Sequence, residues 1–259
     1  MAKIGVLGLG LIGGSIFKKL RELGEDVIGV STSQKGENIF NDINILSSCD
    51  VVFVCTPMNK CRETLDRLEK ILMPETIVTD VCSLKTFVCE KKRPYKFIPS
   101  HPMAGTEHKG FSNAFPELFI GAKWVLTPVF GNDGLEILQD LIEKMGAMPV
   151  FTTPEKHDEA VALISHMPLV VSQALFMCAE DNPLALEIAS SGFRDMTRLA
   201  LSNEEMAFDM FSMNSKNIQN SILKLYKNLG ELTTSDYPNK IREIKDKRSK
   251  MFKKNKTTN

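Results

Sequence analysis

The chain has 259 residues, enough for one large or two modest domains with a substantial core. Hydrophobic residues make up 43%, and 32 basic residues balance 32 acidic ones, the composition of a globular protein and not of a disordered or fibrous one. No apolar run approaches the roughly 20 residues that span a bilayer, and a strand pattern begins at once, so neither membrane span nor signal peptide is expected and the expected setting is cytoplasmic.

The first half alternates strand and helix. Ile4 to Leu7 is an apolar strand that ends in glycines. Ile12, Ile16, Leu20 and Leu23 recur near helical spacing, and Gly24 stops that helix. Asp26–Val30 and Val51–Cys55 follow as strands; the latter is apolar on both faces, as a buried parallel strand requires. Cys61, Leu65, Leu68 and Leu72 mark a second helix face. Strands are predicted at residues 76–79, 96–98 and 124–127. Leu135, Leu138, Leu141, Ile142 and Met145 mark a third helix, and Met148–Phe151 reads as an edge strand because Pro149 cannot donate to a ladder.

After Pro154 glycine becomes rare and helical patterns dominate. Pro154 suits a helix start. Pro168 should kink or break its helix, and residues 203–229 read as one long helix. The fold class is therefore α/β: a Rossmann-type dinucleotide-binding domain over 1–152, then an all-helical domain over 153–259. From Lys240 onward nine basic residues stand against two acidic ones, leaving 23 basic and 30 acidic residues in the body. This end, 240–259, reads as a solvated, flexible tail; without interleaved aromatics no nucleic-acid partner is expected.

The six cysteines form no Cys-x-x-Cys pair, and no histidine is spaced to complete a zinc site, so no metal is expected and the thiols read as reduced and structural. Gly8-Leu9-Gly10-Leu11-Ile12-Gly13 follows a strand and opens a helix, the setting that gives this motif its meaning. Gly8 permits the tight turn, Gly10 lets pyrophosphate approach the backbone, and Gly13 lets helix and strand pack closely. An acidic residue for the ribose hydroxyls belongs near Ser31, yet Ser31 and Thr32 are followed by Ser33, Gln34 and Lys35 with no carboxylate. The cofactor is thus NAD or NADP, and the missing acid favours NADP. Cys55-Thr56-Pro57 and Asp80–Lys85 should emerge at the carboxyl edge of the sheet, where ligands bind. Ser83 there reads both as a site residue and as a helix N-cap.

The chain resembles the prephenate/arogenate dehydrogenase family. The motifs that carry the resemblance are the glycine turn, Asp80-Val81-Cys82-Ser83-Leu84-Lys85, Ser100-His101-Pro102-Met103-Ala104-Gly105-Thr106-Glu107, His157-Asp158, Ser165-His166-Met167-Pro168 and Gly192-Phe193-Arg194-Asp195-Met196-Thr197-Arg198-Leu199-Ala200. The resemblance implies oxidative decarboxylation of prephenate or arogenate with hydride transfer to the nicotinamide. It implies His101 as partner and base for the ring hydroxyl, with Ser83 hydrogen-bonding His101 or that hydroxyl. Arg198 would hold a substrate carboxylate, His166 would lie near the substrate, and Thr106 and Glu107 would line the pocket. Arg194, followed by Asp195, reads as a structural ion pair. The helical half would form a homodimer; the Met/Phe-rich stripe from Met206 to Met213 suits such an interface, and a plain core helix is the alternative. Two departures stand out: Leu169 replaces a second histidine common in relatives, and no tryptophan follows the arginine segment. A β-hydroxyacid dehydrogenase would share the glycine turn but not the His-Pro-Met-Ala-Gly-Thr-Glu corner.

Overall fold

The structure is a computed structural model that describes residues 2–106, 108–234 and 236–253. Its first half is organised by β1 (Lys3–Leu7), β2 (Asp26–Val30), β3 (Ile39–Phe40), β4 (Val51–Val54), β5 (Ile77–Asp80) and β6 (Lys96–Phe97). They pair in parallel in the order β3-β2-β1-β4-β5-β6. All four residues of β4 are buried, because helices cover both faces of the sheet. On one face Val6, Val51 and Phe53 meet Ile16 and Leu20 of α1 (Leu11–Glu22) and Leu138, Leu141 and Ile142 of α3 (Leu135–Lys144). On the other, Val52, Val54 and Val78 meet Cys61, Leu65 and Leu68 of α2 (Met58–Leu68). The strands expected at 124–127 and 148–151 join a second sheet. There β8 (Lys123–Leu126) lies between antiparallel β7 (Ser100–Pro102) and parallel β9 (Met148–Phe151), which is an edge strand as Pro149 demands.

The helical half begins with a single helix from Pro154 to Glu180. Thr153 caps it by accepting from the Lys156 amide at 3.4 Å. It consists of α4 (Pro154–Val161), a π-turn at Ala162–His166 and α5 (Met167–Glu180). Pro168 therefore does not break the helix. The widened turn, in which Met167 N–H donates to the Ala162 carbonyl, absorbs the missing donor and the bulk of the proline ring. This helix also corrects the expectation about apolar length: it is long and apolar enough to cross a bilayer, and only Leu169 and Ser172 of α5 are buried.

Short helices α6 (Pro183–Glu187) and α7 (Ser191–Thr197) and a tight turn at Arg198–Leu201 lead to α8 (Glu204–Met213), α9 (Ser215–Thr234) and α10 (Tyr237–Lys253). The helix expected over 203–229 is broken at Asn214. Its side chain turns inward to bond the Asp158 carbonyl at 2.9 Å, and its own carbonyl starts the next helix by accepting from Ile218. The tail expected to be flexible is helical through Lys253, with Lys247 paired to Glu243 and Lys250 to Asp246 at i,i+4; residues 254–259 lie outside the described residues. Phe176, Met177, Leu184, Ile188, Met196, Leu201, Phe208 and Tyr226 are exposed, all of them in the helical half.

A fully buried ion pair ties the two sheets together. Lys85 Nζ donates to Asp80 Oδ2 and to the Ser100 carbonyl, while Asp80 Oδ1 accepts from the Ser100 amide at 3.3 Å. The Ser100 hydroxyl donates to the Asp80 carbonyl at 2.8 Å and accepts from Trp124 Nε1 at 2.9 Å. Removing one partner strands a buried charge. Lys85→Met is accordingly expected to cost roughly 3–5 kcal/mol in denaturant unfolding, and Asp80→Leu combined with Lys85→Met to recover most of it. A single variant as stable as wild type would refute this role.

Candidate active site

The register of the main sheet aligns Leu7, Val54 and Asp80 in one row at its carboxyl edge. Each strand then gives way to a segment singled out in the sequence: the Gly8 turn, Cys55-Thr56-Pro57 and Val81–Lys85. β1 and β4 are neighbours here although β2 leaves on the other side of β1. This is the switch point of an open parallel sheet, where ligands bind.

The glycine turn has the shape of a phosphate cradle. Gly8 has φ +96°, and a Cβ there would lie 2.7 Å from the Cys55 carbonyl oxygen. A Cβ on Gly13 would lie 1.9 Å from the Gly8 oxygen, so helix and turn touch backbone to backbone. A Cβ on Gly10 would meet nothing within 4 Å, the open side that a diphosphate needs. α1 begins directly after Gly10 with no side-chain cap and no acidic residue in its first turn, so its amides and positive end are free for an anion. Beside the turn, Thr56 Oγ1 is buried without a hydrogen-bond partner among the described residues. These features fit a dinucleotide. Leu11 and Ile12 form the first helical turn, whereas the Leu9 side chain is buried against Gly29. At the end of β2, Ser31 Oγ accepts from the amides of Ser33 and Gln34 at 3.3 and 3.1 Å, and Thr32 is exposed. Burial pushes the Cys55 thiol far up, so it is a neutral wall, and Pro57 starts α2.

His101 follows Ser100 on β7 and is thereby held next to Asp80. Its Nδ1 lies 2.9 Å from His157 Nε2, and His157 Nδ1 lies 2.8 Å from Asp158 Oδ1. The roles along this row follow from the carboxylate. Asp158 only accepts, so a proton sits on His157 Nδ1; with the His157 Nε2 lone pair facing it, His101 donates through Nδ1 and retains a lone pair on Nε2. Burial, followed by the fields of His157, Lys85 and His166, holds His101 well below the usual imidazole range. It is neutral at neutral pH and able to accept a proton. Burial would raise the Asp158 carboxyl, but bonds from His157, Thr86 and the Lys85 amide outweigh it and keep the group below the usual carboxylate value.

Asp158 also receives the Lys85 amide at 2.8 Å and the Thr86 amide at 2.9 Å, the uncapped start of a short 3₁₀ helix. The N-cap role expected of Ser83 is therefore taken by a carboxylate from the helical half. Ser83 does not bond His101 either. Its Oγ lies 3.5 Å from Met58 Sδ, while His157 occupies Nδ1 of the His101 ring. His166 is buried in the π-turn, where burial, against the nearby Asp158, pushes it down to about 4. Thr106 is exposed and accepts from the His108 amide at 3.2 Å; Glu107 lies outside the described residues. Arg198 is exposed on its turn, which is anchored by the Ala200 amide on Ser172 Oγ at 3.0 Å. No hydrogen bond or ion pair among the described residues joins Thr106 or Arg198 to His101. Arg194 and Asp195 do pair, at 3.5 Å.

Cys61, Asp80 and Cys82 bring ligand atoms within 4.8 Å of one another, which spacing in the sequence did not reveal. Lys85 already occupies Asp80, and a bond with Cys61 together with burial keeps the Cys82 thiol protonated, so the cluster reads as packing. Sequence reasoning quoted His157-Asp158 without a role and passed over Asn214. A histidine-aspartate pair in the first turns of a helix was the available signal for the former; an asparagine inside an otherwise apolar helical pattern was the signal for the latter.

Residues 22–151 match the family model described as prephenate dehydrogenase, nucleotide-binding domain, and residues 153–244 match that described as prephenate dehydrogenase, dimerization domain. Among curated relatives, the prephenate dehydrogenase of Bacillus subtilis is 32% identical over 239 residues, covering 82% of this chain and 64% of that enzyme. The chain thus spans less than two thirds of that relative's length. The crystal structure of Synechocystis arogenate dehydrogenase superposes with a TM-score of 0.83 at 35% identity, covering 96% of this chain and 99% of that one. That of prephenate dehydrogenase from A. aeolicus, in complex with hydroxyphenyl propionate and NAD+, gives 0.85 at 26% identity, covering 97% and 98%. With both halves matched in order, and a neutral histidine at the edge of a dinucleotide-binding sheet, the chain belongs to the prephenate dehydrogenase family.

Proposed function

We propose that this protein catalyses the NAD(P)-dependent oxidative decarboxylation of prephenate to 4-hydroxyphenylpyruvate and carbon dioxide, with arogenate, giving tyrosine, as the alternative substrate. The observation that carries this reading is the His101–His157–Asp158 row, with its one free lone pair, held through Ser100 at the carboxyl end of β5. Gly8, Gly10, Gly13 and the start of α1 would hold the diphosphate, with Thr56 and Ser31 as further donors. When bound, the oxidised nicotinamide supplies the hydride acceptor. His101 Nε2 takes the proton of the ring hydroxyl as that carbon becomes a carbonyl. The charge gained by His101 is shared with His157 and balanced by Asp158. Loss of carbon dioxide makes the ring aromatic and leaves a phenolate, and His101 returns the same proton to it, so no other acid is required.

Arg198, exposed and without an ion pair among the described residues, is the candidate grip for a substrate carboxylate, since a guanidinium matches a carboxylate in two-point fashion. Ser83, Thr106, Glu107 and His166 are proposed to line the substrate site. We divide the chain into a dinucleotide-binding domain, 1–152, and a helical domain, 153–259, that forms a homodimer. The exposed apolar residues of α5 to α9 support a second copy, and not lipid, as their cover. The absence of a carboxylate after Ser31 supports NADP over NAD. Six free cysteines support a reducing cytoplasmic setting, and the paired lysines of α10 support a partner set without nucleic acid.

Absorbance of reduced nicotinamide, with prephenate and arogenate each tried against NAD and NADP, tests the reading; silence in all four combinations, with intact dinucleotide binding, would end it. His101→Asn is expected to lower kcat by about 10²–10⁴-fold with little change in KM. Arg198→Gln is expected to raise KM about tenfold, the loss of one bond to a charged group. Because the His101 pKa is lowered, its basic form persists through neutrality. The acid limb of kcat/KM should therefore fall below pH ~6.5, the ordinary imidazole value; a limb at or above that value would contradict the assignment.

A further inference from the structure

His166 Nε2 is buried in the π-turn and has no hydrogen-bond partner among the described residues. The other ring nitrogen, Nδ1, lies 3.2 Å from Asn214 Nδ2. Two more bonds fix which way the Asn214 amide faces. Its Nδ2 donates to the Asp158 carbonyl at 2.9 Å, and its Oδ1 accepts from Asn217 Nδ2 at 2.8 Å. An amide nitrogen only donates. His166 Nδ1 must therefore accept, and the proton of the neutral ring sits on Nε2. The outcome is a buried N–H with no acceptor among the described residues, a rare arrangement in folded proteins. It occurs in a π-turn, a feature frequent at functional sites. The same Asn214 amide holds the backbone of Asp158, so this donor is built onto the frame that orients His101.

We propose that Asn214 is a positioning residue for substrate binding: it fixes His166 as the Nε2–H tautomer, and that N–H donates to a carboxylate oxygen of the substrate. This rests on the prephenate or arogenate reading and names a group within it. Leaving the helix at Asn214 is then the structural cost of aiming the donor.

The test is nitrogen-15 NMR of the histidine-labelled full chain at neutral pH, together with steady-state kinetics. In wild type, His166 should show a protonated Nε2 and a bare Nδ1. Prephenate without cofactor should move the Nε2–H signal. Hydroxyphenyl propionate, which has only a side-chain carboxylate, should move it too if that carboxylate is the acceptor; a response to prephenate alone assigns the ring carboxylate. Asn214→Leu should raise KM about tenfold with little change in kcat, and His166→Gln, which keeps a distal N–H, should bind substrate better than His166→Asn. A wild-type His166 protonated on Nδ1, a signal that moves with neither ligand, or a folded Asn214→Leu enzyme with wild-type KM overturns the proposal. If Asn214→Leu does not fold, the wild-type spectra decide alone. Failure of the functional reading appears separately, as no turnover of either substrate.

Discussion

One carboxylate holds this molecule in working order. Asp158 leaves the first helix of the second half and crosses to the first. There it takes two backbone amides at the end of the β5 loop, while the same oxygens fix the His157 proton. Its own carbonyl receives Asn214. Removing such a charge from water is costly, and the three donors on its two oxygens keep the group ionised. Domain docking, the tautomer of His157 and the basicity of His101 are three readings of the same set of bonds.

The sheet edge shows how a fold and a site share parts. Asp80 ends a strand and also anchors Lys85 and Ser100, so the residue preceding His101 is held by a buried ion pair. The loop carrying Ser83 is clamped at both ends, by Asp80 on one side and by Asp158 on the other. Precision at His101 comes from this double clamp and not from the loop's own sequence, which lacks a side-chain cap.

Much of this was legible in the residues. Apolar runs on both faces announced the parallel strands, and the glycine turn announced its ligand, because a missing side chain is itself a signal. His101 stood out through its proline and small neighbours. Long-range polar pairing was hidden. Nothing local says that Asp158 would cap a helix 72 residues earlier, displacing Ser83 from that role. Pro168 reads as a kink or a break because its missing donor and ring bulk are weighed against a 3.6-residue turn, and the wider π-turn lies outside that reckoning. Residues 203–229 looked continuous because a helix pattern does not show that Asn214 is claimed by Asp158 and His166. The basic tail looked unstructured from composition, yet its two acids sit four residues before lysines and favour helix.

The placement of Asp158 has a consequence for motion. The halves of a two-domain protein commonly part to admit and release ligands, but here the seam runs through the bonds that orient His101, the proposed base. A movement that separates them removes the amides from Asp158, frees the His157 ring, and leaves His101 without a fixed tautomer, all at once. An opened form therefore lacks, in one step, every bond on which the proposed chemistry of His101 rests.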